Sequence, residues 1–260
     1  MINFTNLENN ISVLKDKFQS ASPFSFIAID NFADEQKLNQ ILATFPVPGE
    51  GNINRSRDYI FAKNKYEKAN FKEVSNECNE IYQDLISDRF EKILQEITQQ
   101  NVFVDRQFHG GGIHQGGEGS FLDMHVDFNY HPQHYDWFRN LNILLYLNPD
   151  WKSEYGGQLK LKHTETGEYT EIEPLFNRCV IMFTRDYTLH GYDPISFPQG
   201  KFRRSIATYA YNIDPNPQKS RSTLWIPQTT SPLKKMIGQH WPNLVRAKSA
   251  LFGSGTAKNK

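Results

Sequence analysis

The stretch LDMHVDFNYHP, residues 122 to 132, sets an imidazole and a carboxylate two residues apart between apolar neighbours. Side chains on a strand alternate faces, so Asp123, His125 and Asp127 share one side and Leu122, Met124 and Val126 the other. His125 and Asp127 then point the same way from adjacent pleats, about 7 Å apart along the strand, within reach of one ion. Downstream, TRDYTLHGYDP places His190 at the end of another strand pattern. Two histidines and one carboxylate make a facial triad that leaves the opposite positions of an octahedral metal open, the ligand set of non-haem iron that works on dioxygen. A lone His-x-Asp is a weak signal, because chance produces it often. Its weight here comes from the further motifs downstream, which stand in order and at sensible spacing.

Thirteen residues after His190 begins RRSIATYAYN. On a strand, Arg203, Ser205, Ala207 and Tyr209 share one face, and Arg204, Ile206, Thr208 and Ala210 the other. An arginine beside a metal site suits the far carboxylate of a dicarboxylic cosubstrate, since its planar fork pairs bidentately. A slip of one residue would exchange Arg203 for Arg204. In LNILLYLNPDW, Asn142, Leu144 and Tyr146 alternate on one face, and the Tyr146 phenol can donate to the carboxylate that Arg203 grips. EYGG turns the chain into QLKL, where Leu159 is a candidate wall.

The elements that must position these residues fall into two halves. Up to about residue 100 the pattern is helical with one strand. Leu7, Ile11, Leu14 and Phe18 keep helical spacing, FSFIAI (24–29) reads as a strand, and Leu38, Ile41, Leu42 and Phe45 form a stripe that PVPGEG stops. A long helical pattern from Phe71 to Thr98 is divided at Ser87 and Asp88, a capping pair. Beyond residue 100 come short strands between turns, VFVDRQF, SFLDMHVD, LNILLYL, GQLKLK, GEYTEIE, RCVIMF, TLHGY and RRSIATYAYN, which point to a sandwich or barrel. The tail from about Thr223 reads as outer helix, with GSGTAKNK frayed. The glycine-rich HGGGIHQGGEGS (109–120) matches no phosphate loop and reads as a flexible hairpin or lid, with His109 and His114 outside the ligand set. The loop FNYHPQHYDWFRN (128–140) enters beside the metal residues and offers Asn129, Tyr130, His131 or Trp137 to substrate.

Taken in order, HVD, LNILLYLNPDW, GGQLKL, EIEPLFNRCVIMFTRD, LHGYDPI and RRSIATYAY resemble the iron(II)/2-oxoglutarate-dependent dioxygenases, in their prolyl-hydroxylase-like branch, over about residues 100 to 213. The resemblance implies a mainly β fold with flanking helices: a double-stranded β-helix (jelly roll, cupin-like) core at 101–215, an N-terminal helical buttress at 1–100 in the same domain, and a tail at 216–260. It implies His125, Asp127 and His190 as Fe(II) ligands, Arg203 and Tyr146 on the 5-carboxylate of 2-oxoglutarate, and Asn142 and Leu159 lining the cosubstrate. The activity implied is hydroxylation of an unactivated C–H bond with O₂, releasing succinate and CO₂, with ascorbate as a stimulant. Asp127 is present where halogenating relatives lack the carboxylate, so hydroxylation is the reaction implied. The substrate is a prolyl or amino-acid group or a small metabolite, presented as a peptide or a small molecule. The alternatives are a cupin-like metalloenzyme without 2-oxoglutarate and a non-catalytic metal-binding jelly roll.

Lys+Arg and Asp+Glu are 29 each, so no global field points to nucleic acid or anionic lipid. No apolar run approaches the roughly 20 residues of a membrane span, and MINFTNLENN has no signal-peptide pattern. Cys78 and Cys179 sit in apolar patterns and read as buried thiols of a reducing compartment, so the expected location is cytoplasmic. Oligomeric state is open.

Overall fold

A computed structural model describes residues 1–48, 54, 55, 58, 60–228 and 231–252; the GSGTAKNK tail lies outside them. In chain order the elements are α1 (Phe4–Asn9), α2 (Ile11–Ser20), β1 (Phe26–Ile29), α3 (Glu35–Thr44), β2 (Asn54–Arg55), β3 (Ala62–Lys68), α4 (Asn76–Leu85) and α5 (Asp88–Thr98). They continue with β4 (Phe103–Val104), β5 (Gly112–Val126), β6 (Trp137–Tyr146), β7 (Leu159–His163), β8 (Tyr169–Ile172), β9 (Arg178–Phe183), β10 (Thr188–Tyr192), β11 (Arg203–Ile213), β12 (Leu224–Trp225) and α6 (Pro232–Phe252). The helical pattern of 71–98 divides where the sequence places a cap: the Ser87 side chain accepts the Phe90 amide and restarts the helix.

The described strands pair antiparallel in the order β1-β9-β6-β11-β5-β10-β7-β8, with β3 and β12 also on β5, β2 on β3 and β4 on β11. The sheet curls into a nearly closed, barrel-like jelly roll. Strand β5 joins its parts: residues 113–116 pair with β11 and β3, while residues 122–126 pair with β10 and β12. The period of two decides what faces where. Ile143 and Leu145 on β6, Ile181 on β9 and Ile206 on β11 turn outward into one core with Phe18, Ile81, Phe90 and Leu94 of the helices. Burying each such side chain contributes about 1.5–3 kcal/mol. Their neighbours Asn142, Leu144, Tyr146, Arg203 and Ser205 therefore turn into the barrel.

Three sequence expectations change. The stretch 109–120 is not a flexible lid, because from Gly112 onward it is strand. Its glycines answer crowding: Gly112 has φ +104°, and a Cβ there would lie 2.2 Å from the Lys68 carbonyl oxygen of the crossing β3. Strand β3 has no apolar alternation, since its inward residues are Lys65 and Glu67, and so the sequence pattern did not announce it. VFVDRQF keeps only two strand residues, because the Asp105 side chain accepts the amides of Gln107 and His109 and turns the chain. Cys78 and Cys179 are buried and free, and burial pushes both thiols up.

Candidate metal and cosubstrate site

His125 and Asp127 leave the end of β5 on one face, and β10 sets His190 directly opposite His125. The close approach of these strands needs Gly191, where a Cβ would meet the Leu122 carbonyl oxygen at 2.5 Å. His125 Nδ1 donates to the Asp123 carbonyl oxygen (2.8 Å), which leaves Nε2 with its lone pair facing Asp127. His125 Nε2 stands 3.4 Å from Asp127 Oδ1 and His190 Nε2 3.3 Å from Asp127 Oδ2. One donor atom from each of the three lies within 4.8 Å of the others, and all three residues are buried. Adjacent donors on an octahedral ion with bonds of about 2.1 Å stand about 3 Å apart, so this donor set fits one face of such an ion. Burial lowers the His190 pKa, assisted by His125 against the pull of Asp127, and so favours the neutral, ligating form.

Asp127 is also held from behind. Its Oδ2 accepts from Arg139 Nη2 (2.9 Å) and Asn142 Nδ2 (2.8 Å), and Arg139 in turn donates to Asn142 Oδ1 (2.8 Å). Burial would raise the Asp127 carboxyl, but the Arg139 charge, with the two histidines, outweighs it and holds the group well below its usual range. The Arg139 guanidinium lies over the Tyr209 ring at 3.5 Å and the Phe128 ring at 4.5 Å.

Arg203 reaches the same cavity from β11. It donates from Nε to the Gly157 carbonyl oxygen (2.7 Å) and from Nη2 to the Tyr146 hydroxyl (3.2 Å), with its carbon centre 4.2 Å over the Tyr192 ring. Burial raises the Tyr146 pKa against the opposing charge of Arg203, so the phenol keeps its proton. Arg204 points to the other face, where its Nε donates to Gln115 Oε1 (3.0 Å). The triad, Arg203, Tyr146 and Leu159 line one cavity of about 230 Å³. Asn142 lines it as well, with its amide engaged by Asp127 and Arg139.

The loop residues offered to substrate are placed differently. Asn129 accepts the Arg221 amide, Tyr130 donates to Asp214, His131 is buried with Nε2 3.7 Å from Asp105, and Trp137 stacks on His134 at 3.9 Å; none of the four lines the cavity. Sequence reading missed Arg139, because a register irregularity between β6 and β11 breaks strict alternation there. It also missed Trp225, whose ring lies 4.7 Å from that of His125 on the two-residue strand β12.

Residues 111–211 match the 2OG-Fe(II) oxygenase superfamily. No curated protein matches the chain. Among solved structures, a prolyl hydroxylase from Trichoplax adhaerens, in complex with a hypoxia inducible factor oxygen degradation domain peptide fragment, is similar at TM-score 0.57 and 18% identity, over 80% of this chain and 92% of that one. A prolyl-4-hydroxylase from Pseudomonas putida is similar at TM-score 0.56 and 17% identity, over 78% and 99%. A prolyl 4-hydroxylase from Phytophthora capsici gives TM-score 0.56 and 17% identity, over 98% and 82%. At these identities the likeness is one of fold. Family match, barrel and donor set together define an oxygenase that uses Fe(II) and 2-oxoglutarate. His125, Asp127, Tyr146, His190 and Arg203 all fall inside the matched residues 111–211.

Proposed function

We propose that this oxygenase hydroxylates an unactivated C–H bond of a prolyl or amino-acid group or a small metabolite, with His125, Asp127 and His190 holding Fe(II) and Arg203 and Tyr146 holding the 5-carboxylate of 2-oxoglutarate. The observation that supports it most is one small cavity carrying three mutually close metal donors and a buried guanidinium. Fe(II) with its cosubstrate supplies oxidative decarboxylation to succinate and CO₂ coupled to hydroxylation of the substrate. The chain's own part is positional. Asp123 fixes the His125 tautomer, Arg139 and Asn142 fix the Asp127 carboxylate, and Gly157 and Tyr146 aim the Arg203 fork. Leu144 and Leu159 give the cavity apolar walls that limit water.

On this reading 101–215 is the catalytic core, 1–100 its buttress within one domain, and 216–260 a tail. Strands β1 and β3 are the pieces of the first segment that pair directly with the core strands, β1 on β9 and β3 on β5. The two buried free thiols support a reducing, cytoplasmic setting, and no described helix is long and apolar enough to cross a membrane. Purified protein should release succinate from 2-oxoglutarate only with Fe(II) and O₂, faster with ascorbate, and Asp127→Ala should abolish the release. Succinate release undiminished in Asp127→Ala, or none from wild type, would refute the assignment.

A further inference from the structure

We propose that Lys65, Glu67 and His114 form a recognition wall for a zwitterion, so that the substrate is a free α-amino acid carrying both its ammonium and its carboxylate. This rests on the oxygenase reading and narrows its substrate. Lys65 and Glu67 belong to β3, outside the residues matched by the family. On one edge of β5, Lys65 stands opposite Gly116 and Glu67 opposite His114; on the other edge, Gly116 stands opposite Arg203 and His114 opposite Ser205. Two transverse rows thus run from the charged wall across β5, one to Arg203 and the other to Ser205, and all six residues line the cavity shared with His125 and His190. Gly116, between Lys65 and Arg203, has no room for a side chain, since a Cβ there would lie 2.7 Å from Ser120 Oγ.

Lys65 Nζ lies 3.2 Å from Glu67 Oε1, with side-chain exposures of 16% and 37%. Burial would lower the Lys65 pKa, but Glu67 outweighs it and the ammonium stays charged. A part-buried ion pair gives little stability over apolar residues of the same volume, and apolar residues line this barrel elsewhere, as at Leu144 and Leu159. The pair has a use when the ligand brings the same two charges. Its carboxylate takes Lys65, its ammonium takes Glu67, and the wall stays neutral before and after binding. A peptide bond carries neither charge, and pressing it against the pair would strip water from both ions without replacing it.

His114 adds the third contact. Burial pushes its pKa down to about 4, so the ring is neutral, and while one nitrogen faces the Gly110 backbone, the solvent-shielded Nε2 has no partner among the described residues. A neutral Nε2 with no partner accepts a hydrogen bond, and the ligand's N–H supplies it. The volume of about 230 Å³ lies below the roughly 300–1,000 Å³ of typical ligand sites. A cavity of this size favours small ligands.

Anaerobic titration calorimetry on the full-length chain, loaded with Mn(II) and 2-oxoglutarate, reads this binding without turnover. The probes are the twenty free L-amino acids, each also as its N-acetyl, C-amide and doubly blocked form. At least one free amino acid should bind wild type, and its doubly blocked form should bind about tenfold or more weakly than it does. Lys65→Met should weaken forms with a free carboxylate about tenfold or more and spare C-amides; Glu67→Gln should weaken forms with a free ammonium and spare N-acetyl forms. A misfolded variant would weaken all forms alike, so the crossed pattern separates recognition from folding. No binding by any free amino acid, equal binding of blocked forms, or uniform weakening in both variants would overturn the proposal. Substrate-free succinate release by wild type is the separate check on the oxygenase reading: release without zwitterion binding sinks this proposal alone, and no release sinks the reading beneath it.

Discussion

Replacing Arg139 by Met should destabilise the metal-free protein far more than the metal-loaded one. The guanidinium is 3% exposed and its Nη2 stands 2.9 Å from Asp127 Oδ2. At an effective dielectric of about 20, that separation corresponds to an attraction of about 6 kcal/mol. Desolvation of both ions offsets much of it, so the pair adds little over an apolar replacement of both partners; removing one partner strands a buried carboxylate and costs about 3–5 kcal/mol. At about 2–4 °C per kcal/mol for a chain of this size, the metal-free melting temperature should fall by roughly 6–20 °C. A divalent ion brings positive charge back to Asp127. Saturating Mn(II) should then recover at least half of the loss, and the metal-induced rise in Tm should be larger in the variant than in wild type. Anaerobic thermal unfolding with and without Mn(II) measures both quantities, and Arg139→Lys, which keeps charge but loses the fork, should fall in between. An equal drop in the two states, or a larger drop with metal, would mean that Arg139 aims the carboxylate rather than balancing its charge.

Arg203→Met should raise the apparent KM for 2-oxoglutarate about a hundredfold through the loss of a charge-assisted pair, while Arg204→Met, on the opposite face, should change it less than about threefold; equal effects would reverse the choice of arginine. His114 has a folded pKa of about 4, below its unfolded value of about 6.5. The unfolded chain therefore binds the proton first, so this group's contribution is intact above pH 6.5 and is lost as pH falls toward 4. Urea midpoints in that window should flatten with pH in His114→Gln, by up to about one proton in the slope, and an unchanged slope would show that His114 is not the titrating group. Gly191→Ala should weaken Mn(II) binding about tenfold or more, because a Cβ placed 2.5 Å from the Leu122 carbonyl oxygen must push β10 and His190 away from His125; calorimetric affinity equal to wild type would show that the strands accommodate it.

Residues whose environment repeats along a strand were legible in the sequence. The alternation through His125 and Asp127 and that through Arg203 and Ser205 follow from the period of two, and Arg203 rather than Arg204 faces the cavity for that reason. Helices were legible where one face is apolar and a serine caps the next turn, as at Ser87. What escaped depends on partners distant in the chain. Strand β3 has polar residues facing a polar barrel interior, so it carries no hydrophobic signal. The glycines between 110 and 119 looked like flexibility, yet at Gly112 and Gly116 they mark neighbours packed too close for a Cβ, which only the fold reveals. The polar, aromatic residues after Asp127 looked like a substrate loop, but Tyr130 donates to Asp214 and His131 is buried with its Nε2 3.7 Å from the buried Asp105.

The charges inside the barrel form an energetic pattern that accounts for the cosubstrate. The described cavity lining has three cations, Lys65, Arg139 and Arg203, and two carboxylates, Glu67 and Asp127. Two of the cations are matched at close range, Arg139 to Asp127 and Lys65 to Glu67. Arg203 is the surplus: it is 9% exposed, donates to a carbonyl and a phenol, and has no carboxylate partner among the described residues. An uncompensated guanidinium at that depth is unfavourable, because neutral acceptors replace only part of its hydration. Among the described residues the cavity lining offers no third carboxylate to offset it. On the proposed assignment, a dicarboxylate would answer this surplus, with one of its carboxylates beside Arg203. The surplus positive charge of the lining side chains favours an anionic ligand, and the Tyr146 phenol, kept protonated by burial, would be a donor to that anion rather than a competitor with it.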